Sequence, residues 1–402
     1  MGNAGIVESE PRATDITLSD FLIDANKILP AGIRSHGLFL NMVEGFEVTR
    51  VDVANVTGYA HFAAGDVSAL NAGNPAAKGT SGSYADIRTY NSQVHFEVMF
   101  GDGVTYTNVH ARDGDGDIAT EAYFHPLLGS RNITYEGVSG FGNALLGFSL
   151  ISSVRALENI SILNSHVEVT LPNSGYGLID HSALPTFNLR IENSTFISHD
   201  YIGFSAFRVE GSAVNSTFQG GVFGIAVDND DDAVPHIFTV TDSHAIAVVD
   251  PNKKFGIAGL DGTEGLVWIG GTIEARGTGG LMFPATGSGE VSPETILINA
   301  GYMTRVGFNG VNADTFLFPT IPLPASDFGS FAGGSIVVGF RAYWNAADTL
   351  AIAPGSVAGI SVTDTQALYQ GVVIGTFSGG SGGTDLVISL NAGATAAAVA
   401  AV

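Results

Sequence analysis

The stretch "NISILNSHVEV" (residues 159–169) decides the fold. Asn159 and Asn164 lie five residues apart, and apolar residues alternate with polar ones between and after them. The stretch "NLRIENSTFIS" (residues 188–198) repeats this arrangement. An alternation of period two is typical of short strands with one buried face. Asparagine suits the bend between two such strands because it tolerates left-handed backbone angles.

The arrangement recurs along the chain. If Asn164 is the reference, equivalent bend positions occur at Asn55, Asn108, Gly137, Asn164, Asn193, Asn215, Asp242 and Gly270. A single unit of this kind cannot bury its own apolar face, so it must stack on its neighbours at about 4.8 Å per coil. The repeat therefore predicts an all-β parallel solenoid in which asparagines of successive coils form a hydrogen-bonded ladder.

This periodicity and these asparagine positions resemble the right-handed parallel β-helix proteins of the pectate-lyase-like group, over residues 46–318. The resemblance implies the fold and leaves the activity open, because one fold hosts many functions. We expect the inward positions, which include Phe218 and Trp268, to form continuous apolar stacks.

The segment before the solenoid, "ITLSDFLIDANKILPAG" (residues 16–32), reads as a short amphipathic helix. Ser19 or Asp20 could cap it, and Pro30 with Gly32 would end it. We therefore expect residues 1–45 to form an N-terminal arm and a helical cap that covers the first coil.

The pattern changes after residue 318, where a proline-rich run marks a domain boundary. The strands "GVVIGTF" (371–377) and "LVISLNAGATAAAVAAV" (386–402), with "FAGGSIVV" (331–338) before them, resemble a β-sandwich repeat of large bacterial cadherin-like adhesins. The resemblance implies a C-terminal β-sandwich at 319–402 that lacks its last strand. A homo-oligomer or filament follows if residues 3–14 of a neighbouring chain supply that strand; truncation of a longer chain explains the gap equally well.

Composition limits the function classes. The chain has 402 residues, 16 Lys and Arg against 39 Asp and Glu, a net charge of -23 and no cysteine. Such a field repels phosphate backbones, so we expect no nucleic-acid partner, and the lack of cysteine removes disulfide and thiol chemistry. No apolar run is long enough to predict membrane insertion. The acidic, glycine-rich profile is typical of exported bacterial proteins, so we expect an extracellular or cell-surface location.

Two sets of polar residues are candidate sites. The first is a row of outward positions two and four residues after the bends, which could hold a polysaccharide: His110, His166, Glu168, Thr195, Thr217, His244 and Glu274. The alternative is that these residue types simply suit an exposed parallel sheet. The second set is Asp113, Asp115 and Asp117 in "HARDGDGDIATE", whose alternate spacing could bind Ca²⁺. The alternative there is a solvated loop, since the glycine and glutamate of an EF-hand are missing.

Three function classes remain open on this basis. The first is a structural or adhesive surface protein, which the C-terminal resemblance favours. A polysaccharide lyase, epimerase or hydrolase is the second, although the solenoid carries few lysines and no clustered acids of the familiar pectin-degrading kind. A phage tailspike or fibre is the third. The residues favour a protein that is not an enzyme.

Overall fold

The computed structural model describes residues 13–25, 34–74, 76–113, 118–172, 174–221, 223–228, 236–248, 258–261 and 265–276, and the short strands named below from β26 onward. The chain forms two compact units. Unit 1 comprises residues 1–201 and 205–212, and unit 2 comprises residues 202–204 and 213–402. Within each unit the repeating strands pair in parallel, as a β-solenoid requires.

The described elements are almost all strands. The first eighteen are β1 (Ala13–Thr14), β2 (Thr17–Asp24), β3 (Leu38–Asn41), β4 (Val43–Glu44), β5 (Phe46–Ala64), β6 (Thr80–Met99), β7 (Gly101–Arg112), β8 (Ala122–Leu127), β9 (Arg131–Glu136), β10 (Ser139–Gly142), β11 (Leu146–Leu150), β12 (Leu157–Leu163), β13 (His166–Val169), β14 (Tyr176–Asp180), β15 (Thr186–Glu192), β16 (Thr195–Ser198), β17 (Ile202–Phe207) and β18 (Val209–Val214). One helical turn, α1 (Val67–Asn71), follows β5, and the Asp66 carboxylate caps it by accepting a hydrogen bond from the Ala69 N–H at 2.9 Å.

Three parallel sheets make up unit 1. The first sheet contains β9, β12 and β15 with the opening parts of β2, β5, β6 and β7. The second sheet contains β10, β13 and β16 with the following parts of the same four strands. The third sheet contains β3, β8, β11, β14 and the ends of β5 and β6.

Single left-handed residues turn the chain from one sheet to the next. At the first bend, between the first and second sheets, Asn164 has φ 49° and Asn193 φ 48°. Asn164 donates from Nδ2 to Glu136 Oε1 (2.6 Å), and Asn193 donates to Asn164 Oδ1 (3.3 Å). The predicted ladder at this bend is therefore present in unit 1.

Asn55 does not belong to this ladder, which corrects the sequence interpretation. The register pairs Val53 with Thr89, so Asn55 lies level with Asn91 at a second bend, between the second and third sheets. The residue level with Asn108 at the first bend is Asp86, which accepts a hydrogen bond from Asn108 Nδ2 at 2.6 Å. In the coil before that, the first bend is Arg50, with φ 52°.

The interior of unit 1 is filled by stacked side chains from successive coils. Tyr84, Tyr106 and Tyr135 stack with ring centroids 5.1 and 4.7 Å apart. A second stack runs through His61, Phe96, Phe124 and Phe148 in the third sheet. The inward positions expected from the sequence are all fully buried, which confirms the solenoid pattern: Ile162, Ile191, Phe196, Phe218, Val240 and Trp268.

The expected N-terminal helix is wrong over its described part. Residues Thr17–Asp24 form strand β2, which pairs in parallel with β5. Asp20 has φ 64° and lies level with the bend residue Arg50, so the segment is itself a coil. The rest of the predicted helix and arm, residues 26–33 and 1–12, lies outside the described residues. Ala13–Thr14 already pairs with β4 of the same chain, which removes these two residues from the proposed exchange of a strand between chains.

Unit 2 continues with the same kind of repeat and then changes. Its parallel strands are β19 (Thr217–Gly220), β20 (Phe223–Asp228), β21 (Phe238–Thr241), β22 (His244–Val248), β23 (Ala258–Asp261), β24 (Leu266–Ile269), β25 (Thr272–Arg276), β26 (Glu290–Val291) and β27 (Ile296–Ile298). The remaining strands pair antiparallel, as β28 (Thr315–Phe316), β29 (Ala342–Trp344) and β30 (Leu350–Ile352) in one sheet and β31 (Ile360–Val362), β32 (Gln366–Tyr369), β33 (Val372–Ser378) and β34 (Val387–Leu390) in another. The sandwich packing, the missing strand and the right-handed coil direction stay predictions.

The part of the chain that the structure describes contains no helix with the length and apolar character needed to cross a membrane.

Candidate functional site

The outer face of the second sheet in unit 1 carries two parallel rows of side chains. Register pairing defines the His110 row as Asp52, Arg88, His110, Ser139, His166 and Thr195. It defines the Arg112 row as Tyr90, Arg112, Phe141, Glu168 and Ile197. Neighbours within a row belong to adjacent strands about 4.8 Å apart. Four residues predicted from the sequence, His110, His166, Glu168 and Thr195, therefore share one face.

Hydrogen bonds fix the middle of the His110 row. His110 Nδ1 lies 2.7 Å from Ser139 Oγ, and His110 Nε2 lies 2.9 Å from Asn108 Oδ1. The amide oxygen of Asn108 can only accept, so Nε2 carries the ring proton that it donates. The Ser139 hydroxyl then donates to Nδ1. The ring of His110 is thus held in one orientation and one tautomer.

The Arg112 row alternates aromatic and charged side chains. Tyr90 is 39% exposed and Phe141 is 46% exposed, and Arg112 lies between them on the middle strand. Arg112 is exposed and forms no ion pair with any of the residues that the structure describes. Arg88, one strand earlier in the His110 row, has its backbone N–H bonded to Asp52 Oδ1 at 2.8 Å. Its Nε forms a long ion pair with Asp52 Oδ2 at 4.0 Å, and its side chain is 80% exposed. Two guanidinium groups and two aromatic rings are therefore open to a ligand on this face.

Glu168 lies between Phe141 and Ile197 in the Arg112 row, and its carboxylate lies between two imidazoles. Its Oε1 is 2.7 Å from His199 Nε2, and its Oε2 is 3.7 Å from His166 Nε2. His199 follows β16 directly and is exposed. A carboxylate flanked by two imidazoles can accept and donate protons, and it can equally bind the hydroxyl groups of a polyol.

The other predicted site residues lie in unit 2. Thr217 pairs with His244, and His244 pairs with Thr272 on the next strand. His244 Nδ1 is 2.5 Å from Thr272 Oγ1, so this His is held by the same kind of contact as His110. Glu274 pairs with Ile246, but its side chain lies outside the described part of the structure.

The predicted calcium ligands are not brought together in what the structure describes. Asp113 is turned inward, where its Oδ2 accepts a hydrogen bond from the Tyr123 hydroxyl at 3.2 Å. Asp115 and Asp117 lie in residues 114–117, outside the described residues. Among the side chains that are described, no group of three or more His, Cys, Asp or Glu residues is arranged to hold a metal ion.

Sequence reasoning missed Arg88, Tyr90, Arg112 and Phe141. Arg88 and Tyr90 are missed because the sequence interpretation places Asn55 at the first bend and leaves the coil that contains Asp86 without a bend, so these two residues belong to no row. Arg112 and Phe141 lie four residues after the correctly assigned bends Asn108 and Gly137, so the misplaced bend does not explain their omission. Alternation itself carried the signal, because Arg88, Tyr90, His110 and Arg112 occupy alternate positions of two adjacent strands.

Comparison with known proteins gives no relative. No protein-family model matches the chain, and no curated protein or solved structure matches it either.

Proposed function

We propose that this chain is an extracellular bacterial surface protein with a structural or adhesive role, and that it binds an anionic polysaccharide through the outer face of the second sheet. The observation that carries the proposal is the Arg112 row, where an arginine without an ion pair among the described residues lies between two exposed aromatic rings. The His110 row supplies hydrogen-bonding groups alongside it.

The chemistry of the face favours sugars that bear carboxylate or sulfate groups. A guanidinium presents paired N–H donors that match the two oxygens of such a group. The faces of Tyr90 and Phe141 offer flat apolar surface on which the C–H-rich face of a sugar ring can pack. In a chain with only 16 Lys and Arg against 39 Asp and Glu, two exposed arginines on adjacent strands form a local exception to the overall charge.

The test is a binding titration with a polyuronate and a neutral glucan of similar length. We expect measurable affinity for the polyuronate and much weaker affinity for the glucan. Arg112→Ala should weaken polyuronate binding about tenfold, which corresponds to about 1.4 kcal/mol for one lost charge-assisted contact. Phe141→Ala should weaken it by a similar factor through loss of the ring face.

Arg190→Ala is the matched control, because Arg190 is an exposed arginine on β15 of the first sheet, where it pairs with Glu192 at 2.7 Å. This variant should bind like the parent. Equal affinity for the neutral and the acidic polymer, or equal loss in the Arg112 and Arg190 variants, would show that the face does not select anions.

A glycan-cleaving enzyme is the second candidate, and the position of Glu168 between His166 and His199 favours it. A carboxylate and an imidazole 2.7 Å apart are the kind of pair that moves protons in hydrolysis or elimination. Incubation with polyuronate, followed by chromatography of the products, separates the two functions. Shortened chains that vanish in Glu168→Gln would establish cleavage, and intact polymer with unchanged binding would leave adhesion as the function.

A further inference from the structure

The second bend of unit 1 contains a step where its hydrogen-bonded ladder lacks a donor. Asn55 Nδ2 donates to Asp24 Oδ1 at 3.0 Å, and Asn91 Nδ2 donates to Asn55 Oδ1 at 2.9 Å. The residue that follows Asn91 in the ladder is Asp113, since Tyr90 pairs with Arg112. A carboxylate has no N–H to offer, so the buried Asn91 Oδ1 is left without a hydrogen-bond partner.

The next coil does not supply the missing hydrogen-bond donor either. Its residue at this position is Gly142, with φ 131°, and a Cβ there would lie 2.7 Å from Asp113 Cβ. The Tyr123 hydroxyl binds Asp113 Oδ2, and Asp113 Oδ1 has no hydrogen-bond partner. Asn91 Oδ1 and Asp113 Oδ1, on neighbouring strands, are therefore both buried without a hydrogen-bond partner.

His95 adds a third buried polar atom without a hydrogen-bond partner, its Nε2. Thr89 Oγ1 donates to the His110 carbonyl oxygen at 3.4 Å and lies 2.7 Å from His95 Nδ1. In the tautomer whose Nδ1–H donates to Thr89 Oγ1, the Thr89 hydroxyl is directed at the His110 carbonyl oxygen and Nε2 carries a lone pair. His95 is fully buried, and its Nε2 has no hydrogen-bond partner.

The separation of these atoms distinguishes a shared ion from a direct hydrogen bond. His95 Nε2 lies 3.6 Å from Asp113 Oδ1, which is longer than an N–H···O bond. Two ligands each about 2.1 Å from one ion, at a tetrahedral angle, are about 3.4 Å apart. The hydrogen bonds from His95 Nδ1 to Thr89 and from Tyr123 to Asp113 are the supporting contacts that orient metal ligands in proteins.

We propose that His95 Nε2, Asp113 Oδ1 and Asn91 Oδ1 bind one divalent transition-metal ion, such as Zn²⁺ or Mn²⁺, inside unit 1. One imidazole nitrogen with a carboxylate and an amide oxygen is a ligand set for these ions rather than for Ca²⁺, which takes oxygen ligands. The site contains one histidine, one aspartate and one asparagine. It is therefore not one of the groups of three or more His, Cys, Asp or Glu residues that are absent from the described part of the structure. It is also distinct from the Ca²⁺ loop expected from the sequence, since it uses the buried Oδ1 of Asp113 and neither Asp115 nor Asp117.

The experiment begins with the unaltered protein. Elemental analysis after purification and dialysis against a chelator gives the metal content, and thermal unfolding is then measured with Zn²⁺, Mn²⁺, Ca²⁺ or Mg²⁺ added singly. We expect about one ion per chain, a melting temperature that falls after chelation, and recovery with Zn²⁺ or Mn²⁺ but not with Ca²⁺ or Mg²⁺.

Asp113→Asn is the informative variant, because an asparagine at this position can donate to Asn91 Oδ1 and complete the ladder. It should lose the metal and the response to chelation, yet unfold at a temperature no lower than that of the chelated parent. His95→Gln should also lose the metal response. Asp86→Asn is the matched control, since Asp86 is the exposed ladder carboxylate at the first bend, and it should bind metal like the parent.

Two outcomes would overturn the proposal. The first is a protein that holds no metal as purified and shows no change in melting temperature with Zn²⁺ or Mn²⁺, because a water molecule, or a ring proton on His95 Nε2, then satisfies these atoms. The second is stabilisation by Ca²⁺ that survives His95→Gln and disappears in the double variant Asp115→Asn, Asp117→Asn, which would assign binding to the loop instead.

Discussion

Asp180 illustrates how a single residue makes stability depend on pH. It ends β14 and lies level with Leu150, and it is completely buried inside unit 1. Burial raises the pKa of this carboxyl to about 7, and its interactions with Thr186 and Ser182 offset the shift only in part. The folded state therefore holds a proton that the unfolded chain releases near pH 4.

The free energy of unfolding should decrease as the pH rises from about 4 to about 7, because ionised Asp180 is costly inside the fold. A difference of roughly three pKa units corresponds to at most about 4 kcal/mol. Asp180→Asn should remove this decrease, so its advantage over the parent grows with pH and levels off above about pH 7. Urea unfolding of both proteins between pH 4.5 and 8.5 measures the difference. A difference that does not vary with pH would contradict the assignment. Buried His61, with its pKa lowered to about 3, makes the protein less stable on acidification. Both proteins contain His61, so its contribution cancels when their free energies of unfolding are subtracted.

At the residue scale, a bend can be recognised in the sequence where asparagine occupies it, but not where another residue does. Asn164 and Asn193 are recognisable because asparagine is the common left-handed residue. Arg50 and Asp86 take the same backbone angles at the same bend, with φ 52° and 53°, but nothing about an arginine predicts this. They are held there by neighbours: Arg50 pairs with Asp20 at 2.5 Å. The site residues Arg88 and Tyr90, which follow Asp86, are missed for this reason.

A third ladder, at the start of the first sheet, allows the bend chemistry to be measured. Asn188 donates to Asn159, Asn159 donates to Asn132, and Asn132 donates to Asp102, over distances of 2.8 to 2.9 Å. Asn159 has φ 55°, which alanine tolerates poorly and glycine tolerates well.

Asn159→Ala should lower the free energy of unfolding by about 1–3 kcal/mol, from left-handed strain and from two lost amide contacts at an exposed position. Asn159→Gly should cost less than Asn159→Ala, because it loses the same hydrogen bonds without the strain. Equilibrium denaturation of the three proteins gives both values. If glycine is as costly as alanine, the hydrogen bonds of the ladder matter and the backbone angle does not.

At the element scale, strands with alternating apolar residues were predictable, and the first coil was not. Residues 17–24 carry apolar side chains at Leu18, Phe21, Leu22 and Ile23, a spacing that also fits one face of a helix. These residues form a strand because they pair with β5 and because Asp20 adopts a left-handed backbone angle at the bend. Short apolar runs of this kind cannot be assigned without knowledge of a partner strand.

At the scale of the whole molecule, the net charge of -23 opposes the proposed ligand while the local arginines attract it. The repulsion acts over long distances, and the contacts of Arg88 and Arg112 act over a few ångströms. Added salt weakens the long-range repulsion at lower concentrations than it weakens the arginine contacts. The reason is that the screening length is about 30 Å at 0.01 M and about 8 Å at 0.15 M.

Affinity for a polyuronate should therefore rise as salt is increased from about 0.01 M and fall again towards about 1 M. Titrations at five or six NaCl concentrations test this, and the neutral glucan provides the control without a charge term. A steady fall from the lowest salt concentration would mean that the rest of the molecule does not influence binding at this face.

The bends described above also bear on how such a chain can change in length over generations. Successive asparagines of the ladder that runs through Asn132, Asn159 and Asn188 bond to the counterpart one coil before or after. A tandem duplication in the gene that copies one whole period would insert a coil whose amides meet the same partners as before. Gains and losses of single coils should then have little effect on folding. An insertion of a few residues inside a strand would instead shift that strand out of register with both of its neighbours. Variation in length among descendants of this gene should accordingly occur in units of one period.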